Sequence, residues 1–326
     1  MTSNTDSATL LTDEQIAFFK DNGYLLLRGV LDPALCAQAR DRLWDSLPAD
    51  SDIRRDDPTT HVGPFSEHDT QIDAQHMRRD YRWQLRDIGT EPLILNLVYS
   101  ETLTAMAEQL LGVGTLRRPI VGGVPMGSHG FAWPDGPVDP AHDVEGIRGI
   151  YCTLPYGDRP QEADWLHTDG HPFHLGLVGL INDVPPNGGG FKVWPKSHKR
   201  LYPTFWMQYD QARIPFYEHM PSYKGLLNPP EYHAEIERIQ ADTEPVDCWG
   251  STGDVVLWHH RMAHMAGHNY STVIRQAILG DFSKTDLDKT RLDPPQVDMW
   301  RDWSEDIKQS DGMYSDEFAR EQRLGE

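Results

Sequence analysis

Cysteine is scarce in this chain, and that scarcity excludes several classes of protein. The three cysteines, Cys36, Cys152 and Cys248, lie far apart and form no Cys-x-x-Cys pair. We therefore expect neither a structural zinc site nor a disulfide framework, and so sparse and odd a count is typical of a reducing cytosol. The polar N-terminus lacks the basic and apolar segments of a signal peptide. A cytoplasmic protein is expected.

Positive charge and long apolar runs are also in short supply. The 326 residues include 30 basic and 50 acidic side chains, which gives a formal net charge of −20. Nucleic acids and anionic membranes require a basic surface that this composition does not offer. No run approaches the roughly 18 apolar residues that indicate a membrane span. We therefore expect a small-molecule substrate, no nucleic acid and no membrane, and leave monomer or homodimer open.

The N-terminal part, residues 10–115, has mostly helical patterns. Thr12 and Gln15 have the spacing of a capping box at the start of an amphipathic helix. A short apolar run at 24–27 predicts a strand, and a second amphipathic helix follows it. The strong helical periodicity of residues 92–111 predicts one further helix.

Residues 116–285 are expected to form a β-rich core. The strand candidates are short apolar runs separated by turns rich in Gly and Pro, at 148–154, 175–182, 190–194, 254–259 and 273–282. The aromatic-rich interval 201–240 interrupts them, and we expect it to act as a lid over a site. Residues 286–326 predict a C-terminal helical extension. Because no linker divides the chain, a single domain over 1–326 is the economical prediction.

A His-x-Asp triplet at residues 167–169 is the first feature that indicates chemistry. Positions i and i+2 of a strand point to the same face, so His167 and Asp169 would present an imidazole and a carboxylate together. A second histidine would complete the 2-His-1-carboxylate triad that holds non-haem Fe(II) and leaves positions open. Taken alone, the triplet favours the plainer interpretation, a strand end with a hydrogen-bonded histidine and a surface carboxylate.

Candidates for the remaining ligand lie in a histidine-rich stretch downstream. Four histidines compete there: His259, His260, His264 and His268. The apolar strand that follows carries Arg275 near its start, where a cation is costly unless it meets an anion. A dicarboxylate cosubstrate fits that position, because a guanidinium binds a carboxylate through two parallel hydrogen bonds.

Three segments, read in order, carry a family likeness. They are LTDEQIAFFKDNGYLLLRGVLDPAL at the N-terminus, WLHTD followed by NGGGFKVWPKSHKR, and GDVVLWHHRMAHMAGHNYSTVIR. Together they resemble the helix–strand–helix opening, the proximal ligand pair and the distal segment of the phytanoyl-CoA dioxygenase (PhyH) family of Fe(II)/2-oxoglutarate-dependent oxygenases. In the distal segment an arginine eleven residues after a histidine selects His264 together with Arg275.

The resemblance implies a fold, a metal site and two cosubstrates. The fold would be mainly β with flanking helices, a double-stranded β-helix (jelly-roll, cupin-like) core on which the N-terminal helices pack. His167, Asp169 and His264 would be the catalytic centre and the ligands of Fe(II), with 2-oxoglutarate and O₂ as cosubstrates. Arg275 matches the residue that binds the far carboxylate of 2-oxoglutarate.

Further cosubstrate contacts are implied less directly. The lysine that many family members carry near strand 148–154 is absent, which leaves Thr153 and Tyr151 as candidates for a second contact. Asn269 and Ser271, between the distal histidine and the arginine, are candidates for positioning 2-oxoglutarate. A pair that only stabilises a loop would use the same two residues.

The implied reaction is hydroxylation of an unactivated C–H bond of a small molecule, coupled to decarboxylation of 2-oxoglutarate to succinate. The intact carboxylate of Asp169 favours oxygenation over halogenation, because related halogenases have a small residue at this position. Desaturation, cyclisation and epimerisation use the same iron chemistry and remain alternatives. So does a cupin-like binding protein without catalytic turnover.

Overall fold

Helices flank two antiparallel sheets in the computed structural model of this chain. The described residues are 10–49, 51–65, 76–79, 81–122, 147–169, 173–204, 206–213, 223–227, 229–290 and 293–323. The helices are α1 (Asp13–Asn22), α2 (Pro33–Trp44), α3 (Pro92–Val98), α4 (Glu101–Leu111), α5 (Ser197–Leu201), α6 (Pro230–Asp242), α7 (Leu287–Thr290), α8 (Glu305–Gln309) and α9 (Asp316–Glu321). The strands are β1 (Tyr24–Leu27), β2 (His76–Arg79), β3 (Arg82–Leu85), β4 (Gly149–Thr153), β5 (Leu175–Leu180), β6 (Phe191–Val193), β7 (Trp206–Arg213), β8 (Tyr223–Leu227), β9 (Val246–Cys248), β10 (Val255–His259), β11 (His264–Ala266) and β12 (Arg275–Phe282).

The larger sheet combines strands from distant parts of the sequence. Its seven strands have the order β1-β10-β5-β12-β4-β3-β2, and the smaller sheet has the order β11-β6-β9. Every pairing in both sheets is antiparallel, and β7 and β8 form a separate hairpin. This is the mainly β architecture with flanking helices that the sequence predicts. The described strands form open sheets and no closed barrel.

The N-terminal part supplies strands to the large sheet as well as helices. β1 forms one edge, and β2 and β3 form the other. The expected helices α1 and α2 are present, and the capping box of Thr12 and Gln15 is formed. The C-terminal segment covers the edge at β1, because the side-chain amide of Gln322 accepts from the N–H of Leu26 at 2.7 Å and donates to its carbonyl at 3.1 Å.

The prediction of one helix over residues 92–111 is wrong. The chain forms α3 and α4 in succession, with Tyr99 ending the first and Ser100 starting the second. The hydroxyl of Ser100 accepts a hydrogen bond from the N–H of Leu103 at 3.2 Å. A serine whose side chain caps the backbone three residues ahead favours a helix start over a helix interior.

The two faces of the large sheet have different environments. One face packs on the helical side: a Cβ added at Gly179 would lie 2.7 Å from Leu31 of the loop before α2 and 2.9 Å from Ile278. Side chains alternate along a strand, so Arg275 lies on the opposite face, together with Thr153 directly across from it on β4. We call this opposite face of the large sheet the inner face.

The smaller sheet packs on the inner face. Trp258 of β10 is directly across from Gly176, and a Cβ on that glycine would fall 2.2 Å from the indole ring. Phe191 of β6 contacts the same indole at 5.4 Å between ring centroids. The absence of a side chain at Gly176 therefore makes room for the tryptophan on which the smaller sheet rests. No helix among the described residues is both long enough and apolar enough to cross a membrane.

Candidate metal centre

Three side chains that the sequence predicts as ligands converge between the two sheets. His167, Asp169 and His264 each offer one ligand atom, and these atoms all lie within 4.8 Å of one another. Oδ1 of Asp169 is 3.8 Å from Nε2 of His167 and 3.5 Å from Nε2 of His264. A single ion can contact all three. Two imidazole nitrogens and one carboxylate oxygen are the donor set of non-haem Fe(II) sites, so these residues fit that metal.

Backbone pairing explains why the two histidines are adjacent although 97 positions separate them in the chain. The N–H of each donates to the carbonyl of the other, at 3.0 Å from His167 and 2.9 Å from His264. This antiparallel bridge places their side chains side by side, with ring centroids 4.7 Å apart. Directly opposed residues of an antiparallel pair point to the same face. The fold itself therefore assembles the pair.

Each of the two histidine rings has a fixed orientation. Nδ1 of His264 lies 2.9 Å from the carbonyl of Met262, so that nitrogen carries the proton and Nε2 is available as a ligand. The indole of Trp258 packs on the His264 ring at 4.3 Å between centroids. Trp165 stacks on His167 at 5.0 Å. These contacts limit the rotation of both imidazoles.

Of the four histidines that compete in sequence, His264 lies in the cluster of possible metal ligands formed by the described residues. His259 is fully buried on the helical side, where it stacks on Trp303 at 5.0 Å and forms part of the core. Nδ1 of His260 lies 3.2 Å from the carbonyl of His174. The ring of His268 bridges Tyr156, at 3.0 Å, and the carbonyl of Ala163, at 3.3 Å. The structure thus places His264, the histidine that the family resemblance implies as a ligand, next to His167 and Asp169.

A side chain of α6 contacts Thr168, the residue between His167 and Asp169. Both the N–H and the hydroxyl of Thr168 lie within hydrogen-bond distance of the phenol of Tyr232, at 3.1 and 2.9 Å. Thr168 and Tyr232 are both buried. A contact to the residue between His167 and Asp169 fixes the backbone that presents both ligands, so the interval expected to be a lid reaches the site through this tyrosine.

Arg148 engages the carboxylate of Asp169 on the side away from the histidines. Its Nη1 lies 2.6 Å from Oδ2 of Asp169. Its Nε and Nη2 donate to the two carboxylate oxygens of Asp281, at 2.8 and 2.7 Å. The guanidinium is buried against the rings of Phe173 and Trp258. Although burial opposes the charge, Asp169 and Asp281 hold the pKa of Arg148 above its ordinary value.

A second buried arginine, Arg275, has a different environment. Only 2% of its surface is exposed, and it forms no ion pair with a described carboxylate. Among the described residues its guanidinium makes a single long hydrogen bond, from Nη1 to the carbonyl of Tyr151 at 3.4 Å. Burial lowers the pKa of Arg275 to about 10. The inner face thus contains a buried cation that makes no ion pair with a described residue, although Asp247 lies close enough to favour its charge.

The other predicted cosubstrate residues separate into two groups. Thr153 and Tyr151 lie on β4 on the same face as Arg275. Asn269 is fully buried, and its amide is occupied by the loop: Nδ2 donates to the carbonyls of Thr153 and Val273, and Oδ1 accepts from the N–H and hydroxyl of Ser271. The loop-stabilising role that the sequence left open for Asn269 and Ser271 matches these contacts.

Three residues around the site escaped the sequence prediction. Arg148 and Asp281 each place a charge in or beside an otherwise apolar strand, the same signal that pointed to Arg275. Tyr232 gave no signal, because one tyrosine among many in the interval 201–240 cannot be matched to a partner 64 residues earlier from sequence alone.

The cluster between the two antiparallel sheets has the two-histidine, one-carboxylate donor set of non-haem metal centres. Residues 159–277, which contain the three ligands and Arg275, match the family model described as phytanoyl-CoA dioxygenase (PhyH). This segment of the chain is therefore similar to the phytanoyl-CoA dioxygenase family, and it contains the three ligand candidates. No curated protein matches the sequence.

Several solved structures resemble the chain at low identity. EctD from S. alaskensis with bound Fe is 16% identical, with 90% of this chain and 82% of that chain covered and a TM-score of 0.49. SnoK, a non-heme alpha ketoglutarate dependent carbocyclase from nogalamycin biosynthesis, is 16% identical, with 90% and 95% covered and a TM-score of 0.45. HygX from Streptomyces hygroscopicus with nickel and 2-oxoglutarate bound is 14% identical, with 85% and 88% covered and a TM-score of 0.45.

Proposed function

We propose that this enzyme hydroxylates an unactivated C–H bond of a small molecule. The overall reaction combines the substrate, 2-oxoglutarate and O₂ and yields the hydroxylated product, succinate and CO₂. One oxygen atom enters the product and the other enters succinate, so the equation balances without a further reductant. When bound, Fe(II) supplies the oxidative chemistry that activates O₂.

The observation that carries the proposal is the presence, beside the ligand triad, of a buried arginine that makes no ion pair with a described residue. His167, Asp169 and His264 would hold the iron. Arg275 would bind the far carboxylate of 2-oxoglutarate through its guanidinium, which exchanges an unfavourable buried charge for an ion pair. A dicarboxylate cosubstrate would supply the ion-pair partner that Arg275, unlike Arg148, does not have among the described residues.

Other residues of the chain would orient the cosubstrate. The side chains of Thr153 and Tyr151 share the face of Arg275 and are proposed as further contacts to 2-oxoglutarate. Asn269 and Ser271 are proposed to act indirectly, by holding the loop that leads into β12. The packing of Trp258 and Trp165 on the two ligand histidines would keep water from approaching those rings.

We further propose that the chain works as a single oxygenase domain. In this proposal residues 116–285 supply the catalytic core, although strands of the 10–115 part join its sheet, and 286–326 is an extension. The interval 201–240 would act as a lid, and the contact of Tyr232 with Thr168 supports that role. We also propose a cytoplasmic enzyme, which the sparse cysteines favour. Its oligomeric state would be a monomer or a homodimer.

The decisive experiment measures succinate formation from 2-oxoglutarate by the Fe(II)-loaded protein across a panel of small molecules. We expect a compound that raises succinate above the background seen without it, with equivalent hydroxylated product by mass spectrometry. His167→Ala should abolish both. The matched control is His233→Ala, because His233 is exposed on α6 and has no metal-ligand role.

Product analysis separates the alternatives. A product lighter than the substrate by two hydrogens would indicate desaturation or cyclisation, and one of unchanged mass would indicate epimerisation. A protein that binds Fe(II) and 2-oxoglutarate yet never forms succinate with any compound would contradict the proposal and favour a binding protein. Succinate formation that persists in His167→Ala would contradict the ligand assignment.

A further inference from the structure

The contacts of Arg148 go beyond those of an ordinary buried ion pair. Three of its nitrogens point to two different carboxylates, and one of those carboxylates belongs to the metal triad. We propose that Arg148 is a positioning residue that keeps Asp169 a ligand through one oxygen only. This inference rests on the proposed iron site and concerns how that site is held open.

The arrangement at Asp169 assigns its two oxygens different roles. Oδ1 is the atom close to both ligand histidines, whereas Oδ2 is held by Nη1 of Arg148 at 2.6 Å. The short distance makes this a close ion pair, in which the positive guanidinium lies against Oδ2. To chelate an ion through both oxygens, Asp169 would have to rotate Oδ2 away from Arg148.

The guanidinium itself has little freedom to follow such a rotation. Asp281 binds it through two parallel hydrogen bonds, which fix the guanidinium plane. The backbone N–H of Arg148 donates to the carbonyl of Leu279 on β12, the strand that carries Asp281. Phe173 and Trp258 pack on the guanidinium, 5.2 and 5.8 Å from its central carbon. The sheet therefore holds Arg148 in place relative to the triad.

A carboxylate bound through one oxygen would leave more coordination positions on the metal for the cosubstrates. A six-coordinate ion with three protein ligands has three positions left, of which 2-oxoglutarate uses two and O₂ one. A carboxylate bound through both oxygens would occupy one of those three. Arg148 thus reserves a position for O₂ by occupying the oxygen that would otherwise compete for it.

A purely structural role for Arg148 is the rival explanation, and a pair of variants distinguishes the two. Arg148→Met leaves Asp281 buried beside the site without its guanidinium, so this variant is expected to be poorly stable. In Arg148→Met/Asp281→Asn that charge is removed as well, which should recover folding. Both variants leave Asp169 itself unchanged but remove its ion pair with Arg148.

The readout is the number of exchangeable waters on Mn(II), counted from line broadening of the electron paramagnetic resonance signal in ¹⁷O-enriched water. We expect three waters in the native protein, two in the double variant, and an affinity for Mn(II) about 10- to 100-fold weaker in the latter, as for other partners of metal ligands. Arg148→Lys, which retains one donor, should lie between. Arg42→Lys, at an ion pair on α2, should match the native protein.

Two failures are distinguishable. If the native protein bound no Mn(II) at all, the iron site itself would be wrong. If the native protein bound Mn(II) with three waters and the folded double variant bound it with equal affinity and three waters, the metal site would stand and the proposed role of Arg148 would be overturned. Nitric oxide, used as a stand-in for O₂, should bind less to the Fe(II)–2-oxoglutarate form of the double variant if the proposal holds.

Discussion

Two arginines are buried on or beside the inner face, and the protein treats them in opposite ways. Arg148 meets two carboxylates, Asp169 and Asp281, which keep its pKa high. Arg275 meets none within ion-pair distance among the described residues, and burial lowers its pKa to about 10. This difference in environment indicates a different role for each arginine. A charge with built-in partners can hold a ligand carboxylate in place, whereas a charge buried without an ion-pair partner is suited to bind an anion from outside.

The largest expected effect is on folding stability. Arg148→Met should lower the free energy of unfolding by about 3–5 kcal/mol, because it leaves buried carboxylates without their partner. Arg275→Met should leave the stability of the metal-free protein unchanged or raise it, because it removes a buried cation that lacks an anion. Urea titration of both variants checks this contrast. Equal destabilisation by the two substitutions would contradict the distinction between the arginines.

The second effect is on cosubstrate affinity. Arg275→Met should weaken the binding of 2-oxoglutarate by a hundredfold or more, in line with roughly 2–5 kcal/mol for truncating one partner of a buried charge pair. Arg275→Lys should lose less. Calorimetric titration with Mn(II) in place of Fe(II) gives the affinities. The control is Arg42→Met, since Arg42 pairs with Glu91 on the helical side. An unchanged affinity in Arg275→Met would remove the argument for a dicarboxylate.

A third test examines side chains that the protein buries without charge. Burial lowers the pKa of His174 and of His198 to about 3, and it lowers those of His259 and His260 well below the ordinary value. These folded-state values lie below the unfolded ones, so the unfolded chain takes up protons first as the pH falls. Stability is therefore fully present above about pH 6.5 and is lost below it.

The expected slope of this loss is about 1.4 kcal/mol per pH unit for each histidine once the pH is below its unfolded pKa. Denaturant midpoints measured between neutral pH and about pH 4 give the number of protons taken up, which we expect to be near four from these groups. His198→Gln should lower that number by about one. A slope that is the same in His198→Gln and the native protein would contradict the burial of a neutral His198.

The smallest effect is expected in the loop before β12. Ser271→Ala removes a hydroxyl that bonds Asn269 and the backbone of Val273, and it should cost about 1 kcal/mol or less. Its affinity for 2-oxoglutarate should stay within about twofold of the native value. Thermal unfolding and the same calorimetric titration measure the two quantities. A large loss of affinity with native stability would show that Ser271 contacts the cosubstrate directly.

Local sequence signals predicted a large share of the fold and of the centre. The capping box at Thr12 and the apolar runs of the core strands are properties of neighbouring residues, and they correspond to observed elements. The i, i+2 spacing of His167 and Asp169 has the same local character. The position of His264 required the spacing to Arg275, which links two strands that follow one another in the chain.

The contacts that escaped prediction join residues that are distant in sequence. Arg148 and Asp281 are 133 positions apart, and their meeting depends on the register of β4 against β12. The break between α3 and α4 was missed because the apolar periodicity continues across Ser100, whose hydroxyl starts a new helix there. The register of two strands, and whether a side chain caps the backbone, depend on the folded structure. Local sequence patterns therefore do not predict them.

The central claim is that the metal held by the triad binds one end of 2-oxoglutarate and that Arg275 binds the other end. Its most direct test is the affinity for 2-oxoglutarate, measured with and without Mn(II) in the native protein, in His167→Ala and in Arg275→Met. We predict that the metal strengthens binding in the native protein, that His167→Ala abolishes the gain from the metal, and that Arg275→Met weakens binding under both conditions. Binding of 2-oxoglutarate that is unaffected by the metal and by both substitutions would contradict the account.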